Sequence, residues 1–262
     1  MVFINNRPVI HAHHPYPVVQ RLVRVAHLGI VNHAPFYSLI VSDQRRNGSR
    51  IVLPRRQCSL HFLLPLHMQD FAPLINYISK YVTLNEDELA YFTSFLKVKK
   101  IGKRQLLVQP GFVCAHKSYV IKGALRAYLV DNEGKEHTLA FAIEDWWISD
   151  YSSLIYQEPA TLFVEALEDS VLIQISYDAE QALLQNIPKL EKFERIITQR
   201  SLAFQHKRLL ANFTHTAEER YDEFVSKYPN IANRVPQYAL ASYLGFSTEY
   251  LSKIRNRKSG KS

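Results

Sequence analysis

Between Gln105 and Ser176 no helical period survives for long. Gly102, Pro110-Gly111, Gly123 and Gly134 cut the chain into short runs rich in β-branched and aromatic residues. Gln105–Gln109, Tyr119–Lys122, Leu125–Val130, Glu136–Ala142, Thr161–Ala166 and Ser170–Ser176 each read as a strand. Asp131-Asn132-Glu133-Gly134 reads as a hairpin turn, because Asn and Gly tolerate positive φ. A series of short strands punctuated this way predicts an antiparallel barrel or jelly roll.

Helical spacing brackets that block on both sides. Upstream, Leu74, Ile75, Ile78 and Tyr81 mark one amphipathic helix; Thr83-Leu84-Asn85-Glu86 has the form of a capping box before Leu89, Phe92, Phe95 and Leu96. Downstream, Asp178 can cap a short helix to Gln185, and from Pro188 to about Phe213 the chain runs without Gly or Pro. Two apolar stripes follow that long helix: Leu190, Ile197, Phe204 and Ala211 at intervals of seven, and Ile196, Ala203 and Leu210 beside them. One small domain cannot cover both stripes, so a second copy of the chain is expected along the first, as a helix-to-helix dimer.

The C-terminal stretch is the most specific. Thr216-Ala217-Glu218-Glu219 is a capping box for a helix through Tyr228, which Pro229 stops. Pro236 suits a first helical turn, Ala239, Leu240, Ala241, Tyr243 and Leu244 form a helix body, and Gly245 can end it in the left-handed conformation. Ser247 then caps a further helix with Leu251 and Ile254 inward and Lys253, Arg255 and Arg257 outward. Helix, Gly-centred turn, helix is the helix-turn-helix arrangement, which can lay its second helix in a major groove. Lys253, Arg255, Arg257, Lys258 and Lys261 against Glu249 alone leave residues 247–262 at +4, suited to phosphates.

The formal net charge of +8 adds little to that argument. Residues 1–67 hold eight Arg against Asp43, no Lys, no Glu, half the prolines and seven of the eleven His. The remaining 195 residues are almost neutral. The prolines interrupt every helical window in this first quarter, so it predicts a disordered basic extension, with Met68 as the expected true start and the preceding residues not native. His11, His13 and His14 have the ligand chemistry for a metal, but no scaffold supplies a third or fourth ligand, so no metal site is expected. Cys58 and Cys114 are too few for a disulfide framework or an iron–sulfur cluster, which favours a reducing, cytoplasmic setting. No apolar run is long enough to span a membrane.

Residues 68–262 resemble the Crp/Fnr class of bacterial transcription regulators, most strongly over Val235–Arg257. The resemblance implies an α+β chain: a cyclic-nucleotide-binding-like β-roll over residues 68–186, a dimerisation helix over 187–213 and a winged helix-turn-helix over 214–262. It implies a homodimer on double-stranded DNA, with contact to RNA polymerase, and no enzymatic activity. By position in the motif, Thr248, Glu249, Ser252 and Lys253 would read bases, and Gln237 and Ser247 would join Arg255 and Arg257 on phosphates. The family's nucleotide pocket uses an Arg followed by Ser or Thr. Here no Arg occurs between Asp145 and Phe163, Ala160 falls near that position, and Glu144, Asp145, Asp150 and Glu158 would repel a phosphate. Cyclic AMP in the usual manner and any bound cofactor are therefore not expected. Trp146, Trp147, Tyr151 and Tyr156 are the candidates for lining a pocket for an unknown small-molecule effector. His116 and His137 are the candidate axial ligands of a haem. The rival reading is a ligand-binding β-roll whose helical C-terminus makes protein contacts rather than DNA contacts.

Overall fold

A computed structural model describes residues 66–258 and Gly260. Residues 1–65 lie outside the described residues, and with them the His11–His14 cluster, Cys58 and the excess of Arg.

A 3-10 turn (Leu66–Phe71) leads into α1 (Ala72–Ser79) and α2 (Glu86–Ser94). The capping box of α2 sits two residues later than the sequence pattern predicts. Asn85 is extended (φ −78°, ψ 177°), accepts from the Glu88 amide at 2.8 Å, and its own amide donates to Glu88 Oε2 at 2.8 Å. Either Thr83 or Asn85 could cap by residue type. Both have a Glu three residues on, Glu86 and Glu88, and the structure forms the Asn85/Glu88 box, from which Phe92 faces the core.

Eight strands follow: β1 (Lys97–Ile101), β2 (Leu106–Val108), β3 (His116–Lys122), β4 (Leu125–Val130), β5 (Glu136–Ala142), β6 (Trp147–Ile148), β7 (Phe163–Ala166) and β8 (Ser170–Ser176). They form two antiparallel four-stranded sheets, in the orders β1-β8-β3-β6 and β2-β7-β4-β5. β1 had no strand signal. Its Lys97-Val98-Lys99-Lys100 face solvent at a sheet edge, where charge blocks further pairing and erases the apolar alternation. The turn Asp131–Gly134 closes β4 onto β5 as predicted, with Gly134 at φ +79°.

Strand alternation divides the core. Val120 and Leu172 point between the sheets with Leu125, Ala142, Ile148 and Val164. Their neighbours Tyr119 and Ile173 point outward, onto Leu74, Phe92, Leu183, Leu190 and Phe193 of the helices. The β3–β4 corner requires glycine. Gly123 sits at φ +120°, and a Cβ there would lie 2.1 Å from Ser170 Oγ and 2.8 Å from Ser170 Cα.

Beyond the sheets the described chain is helical: a short α3 (Tyr151–Tyr156) lies within the β-roll, then come α4 (Tyr177–Asn186), α5 (Pro188–Thr214), α6 (Ala217–Lys227), α7 (Pro229–Arg234), α8 (Gln237–Leu244) and α9 (Thr248–Lys258). Ser176, not Asp178, caps α4, accepting from the Ala179 amide at 3.2 Å. The Thr216/Glu219 capping box of α6 stands as predicted. Pro229 does end α6, but it also opens α7 as its first residue, where its missing N–H leaves no bond unmade. The wing that the resemblance implies has no strands among the described residues, where every strand belongs to the β-roll.

Candidate functional site

The two helices of the C-terminal motif are built by a turn and a buried seam. Gly245 takes φ +81°, ψ 33°, its amide donates to Ser242 O at 3.2 Å, and the Phe246 amide donates to Ala241 O at 3.1 Å. A Cβ at Gly245 would meet only Arg220 Nη2, at 4.0 Å, so the demand here is the left-handed backbone rather than space. Ala239, Leu240, Ala241 and Leu244 of α8 are buried with Leu251 of α9. Ser247 Oγ accepts from the Tyr250 amide at 3.2 Å, at the start of α9.

Among the residues the sequence assigns to bases, Glu249 and Lys253 are exposed and Thr248 and Ser252 are half-buried. Its own backbone amide and the Ser247 hydroxyl hold the Glu249 carboxyl below its ordinary pKa, so it is an acceptor at neutral pH. Lys253 has no carboxylate partner among the described residues. Ser252 Oγ is committed inside the motif: it donates to Thr248 O at 3.1 Å and accepts from Gln237 Nε2, which also reaches Thr248 O at 3.3 Å. Gln237 thus ties α8 to α9.

The residues assigned to phosphates are also engaged. Arg255 lies 6.0 Å from the Tyr221 ring centroid and donates to Ala232 O at 3.4 Å. Arg257 pairs with Glu218 at 2.5 Å, and Lys258 with Asp222 at 2.7 Å. The sequence reading missed these α6 carboxylates, which pair with two of the four cations of α9. Their spacing in Glu218-Glu219-Arg220-Tyr221-Asp222 puts Glu218 and Asp222 on one helical face, the only available signal.

The motif is fastened to its own β-roll. Ser242 Oγ accepts from the Thr138 amide and donates to Glu136 O, both at 2.9 Å, so α8 extends the edge of β5. Arg234 forks onto Glu144 at 2.7 and 3.0 Å and onto Glu168, and Glu144 Oε1 also accepts from the Gly123 amide at 2.9 Å. The Arg234 guanidinium pulls the Glu144 carboxyl down to about 2. Arg126 is buried beneath Tyr128 and Tyr238, 4.0 and 5.0 Å from their centroids, and pairs with Glu136 and Glu165 at 2.7 and 2.8 Å.

In the β-roll, Trp146, Trp147, Tyr151 and Tyr156 do not line one pocket. Trp146 packs toward the helices against Tyr228, with centroids 5.5 Å apart. Trp147 stands beside Tyr119 and under Lys117, whose Nζ is 4.5 Å from its centroid. Tyr151 is 46% exposed as a residue, though desolvation of its hydroxyl pushes that group up to about 12, and Tyr156 is 71% exposed. The cause is local: 151 and 156 are five residues apart on α3 and so point to different sides, while Trp146 lies in the turn before β6 and Trp147 is its first residue. Lys117 is buried between Glu180 of α4 and Glu194 of α5, the latter at 2.7 Å. Burial opposes its charge, but Glu194 and Glu180 outweigh it and hold its pKa above the ordinary value. Asp150 is only 2% exposed, and its carboxylate accepts the amides of Ser153 at 3.1 Å and of Thr161 and Leu162, each at 3.0 Å. Burial and Lys97 keep His116 below its usual pKa, and His137 bonds Asp131 at 2.6 Å in the β4–β5 turn. No group of His, Cys, Asp and Glu among the described residues could hold a metal ion, and no helix among them is long and apolar enough to cross a membrane.

The two stripes of α5 separate. Leu190 and Ala211 are buried, Ile197 packs on the β-roll helices and Phe204 on Tyr228, all within one chain. The other side of α5 is uncovered: Leu202 is 55% exposed, Leu209 54%, Leu210 62% and Phe213 81%. The intervals of seven from Leu190 follow the side on which the chain's own sheets and helices lie.

Residues 98–187 match the cyclic nucleotide-binding domain family. The chain is 24% identical over 204 residues to the anaerobic regulatory protein of Pasteurella multocida, covering 73% of each chain. It is 25% identical over 207 residues to the fumarate and nitrate reduction regulatory protein of Vibrio cholerae, covering 73% of this chain and 80% of that one. In fold it is similar to FixK2 from Bradyrhizobium japonicum, with a TM-score of 0.54 and 17% identity over 63% of this chain and 86% of that one. With its β-roll, long helix and helix-turn-helix in that order, the chain carries a cyclic nucleotide-binding domain and is similar to regulators of the Crp/Fnr type.

Proposed function

We infer that the protein is a cytoplasmic, sequence-specific DNA-binding transcription regulator that works as a homodimer. The observation that carries this is the C-terminal motif itself. Gly245 sets the turn, Gln237 and Ser252 lock the two helices, and Glu249 and Lys253 are exposed on α9. An ionised Glu249 accepts from a cytosine amino group, and Lys253 donates to guanine. The exposed Leu202, Leu209, Leu210 and Phe213 supply the dimer face, which would set two copies of α9 about one helical turn of DNA apart.

The sensor half takes no cyclic nucleotide in the usual manner. In the stretch that corresponds to the nucleotide pocket, a buried carboxylate from Asp150 already accepts three backbone amides, and a phosphate there would meet that charge with no Arg to offset it.

Selection of random duplex DNA by the purified chain tests the reading. The expected product is a near-palindrome with half-sites about 10 base pairs apart. Lys253→Ala weakens binding and lowers the slope of log affinity against log salt by about one, while Glu249→Ala relaxes one base position. Failure to enrich any sequence, with binding indifferent to Lys253, refutes it and favours the protein-contact reading.

A further inference from the structure

Where α5, α6 and α8 meet lies an open cleft of about 70 Å³. Its walls are aromatic. Phe204 comes from α5, Phe224 from α6, Tyr228 from the end of α6 and Tyr243 from α8, with neighbouring ring centroids 5.4–6.4 Å apart. Its rim is cationic. Lys207, Arg208, Arg220 and Lys227 line it against a single acid, Glu223, and Lys207 takes up that acid at 3.0 Å.

Among the described residues the other three cations form no ion pair with a carboxylate, although Lys227 acts on Glu223 at longer range. Arg208 donates to the carbonyls of Leu139 and Tyr243, and Arg220 to those of Leu244 and His215. Lys227 Nζ only overhangs rings, 5.4 Å from the Phe204 centroid and 5.3 Å from that of Tyr228. A carbonyl or a ring face satisfies a donor but leaves its charge uncompensated. We propose that this cleft binds a compact aromatic carboxylate: one ring to lie among the four aromatic walls, one negative charge to meet Lys227 and Arg208. Phe204, Arg208 and Ala211 face away from the uncovered Leu202/Leu209/Phe213 side of α5, so a second copy of the chain on that side leaves the cleft open. The ligand would touch the long helix and the helix-turn-helix together, which gives the site leverage over their mutual angle. This goes beyond the DNA-binding reading and does not depend on it.

The test is a calorimetric titration of the full chain with benzoate, and with benzamide as its uncharged counterpart, without DNA. Tryptophan fluorescence follows in parallel, because Trp146 abuts the Tyr228 wall. Saturable benzoate binding is expected, with benzamide at least tenfold weaker. Lys227 is exposed, so Lys227→Met keeps the fold; it should lower benzoate affinity about tenfold, and Lys227→Arg should retain it. No saturable binding, equal binding of benzamide, or unchanged affinity in Lys227→Met overturns the proposal. None of these results bears on DNA recognition.

Discussion

Arg234→Ala would weaken the hold of the β-roll on the helix-turn-helix without removing the Ser242 contacts to β5. The guanidinium holds Glu144 through two bonds and Glu168 through a third, while Glu144 also receives the Gly123 amide. Lowering the Glu144 carboxyl from an ordinary 4.5 to about 2 corresponds to about 3 kcal/mol of interaction. The Glu144 side chain is 40% exposed and that of Arg234 28%, so water and salt screen the contact and about 1–2 kcal/mol remains. The sign follows from a depressed carboxylate. The stabilisation is complete above the unfolded value near 4.5 and is lost as pH falls toward 2. Urea unfolding at pH 7, followed by Trp146 fluorescence, should show Arg234→Ala less stable by that amount. The difference between variant and parent should shrink as the pH is taken down through 4. Equal stability at pH 7, or a gap that stays constant down to pH 3, refutes the reasoning.

Two further perturbations follow from buried charge. Lys117→Met leaves Glu180 and Glu194 facing each other in a site where burial already raises the Glu180 pKa. A loss of about 3–5 kcal/mol is expected in chemical unfolding, and Glu180→Gln with Glu194→Gln in the same chain should recover most of it. Asp150→Ala strands the amides of Ser153, Thr161 and Leu162. Each orphaned donor costs about 1–3 kcal/mol, so a thermal midpoint lower by more than 5 °C is expected.

Much of the architecture was legible because it is carried by local chemistry. Leu125–Val130, Glu136–Ala142 and Ser170–Ser176 are strands with the limits their composition suggests, and Gly134 and Gly245 stand where a positive φ is needed. The misses have a common character. β1 is an edge strand whose lysines face water, and α7 begins at a proline that also ends the preceding helix. Both are decided by what lies beside them in space.

The site divides in the same way. Residue types alone determine a capped, Gly-hinged pair of helices with Glu249 and Lys253 on the outer surface, since that depends on periodicity within about twenty residues. Residue types could not say that Arg257 and Lys258 are neutralised by Glu218 and Asp222, or that Asp150 occupies three backbone amides. Nor could they say which stripe of α5 is covered by the chain itself. Hydrogen bonds and ion pairs act over a few ångströms, and the tertiary fold alone sets which side chains, tens of residues apart in sequence, come within that reach.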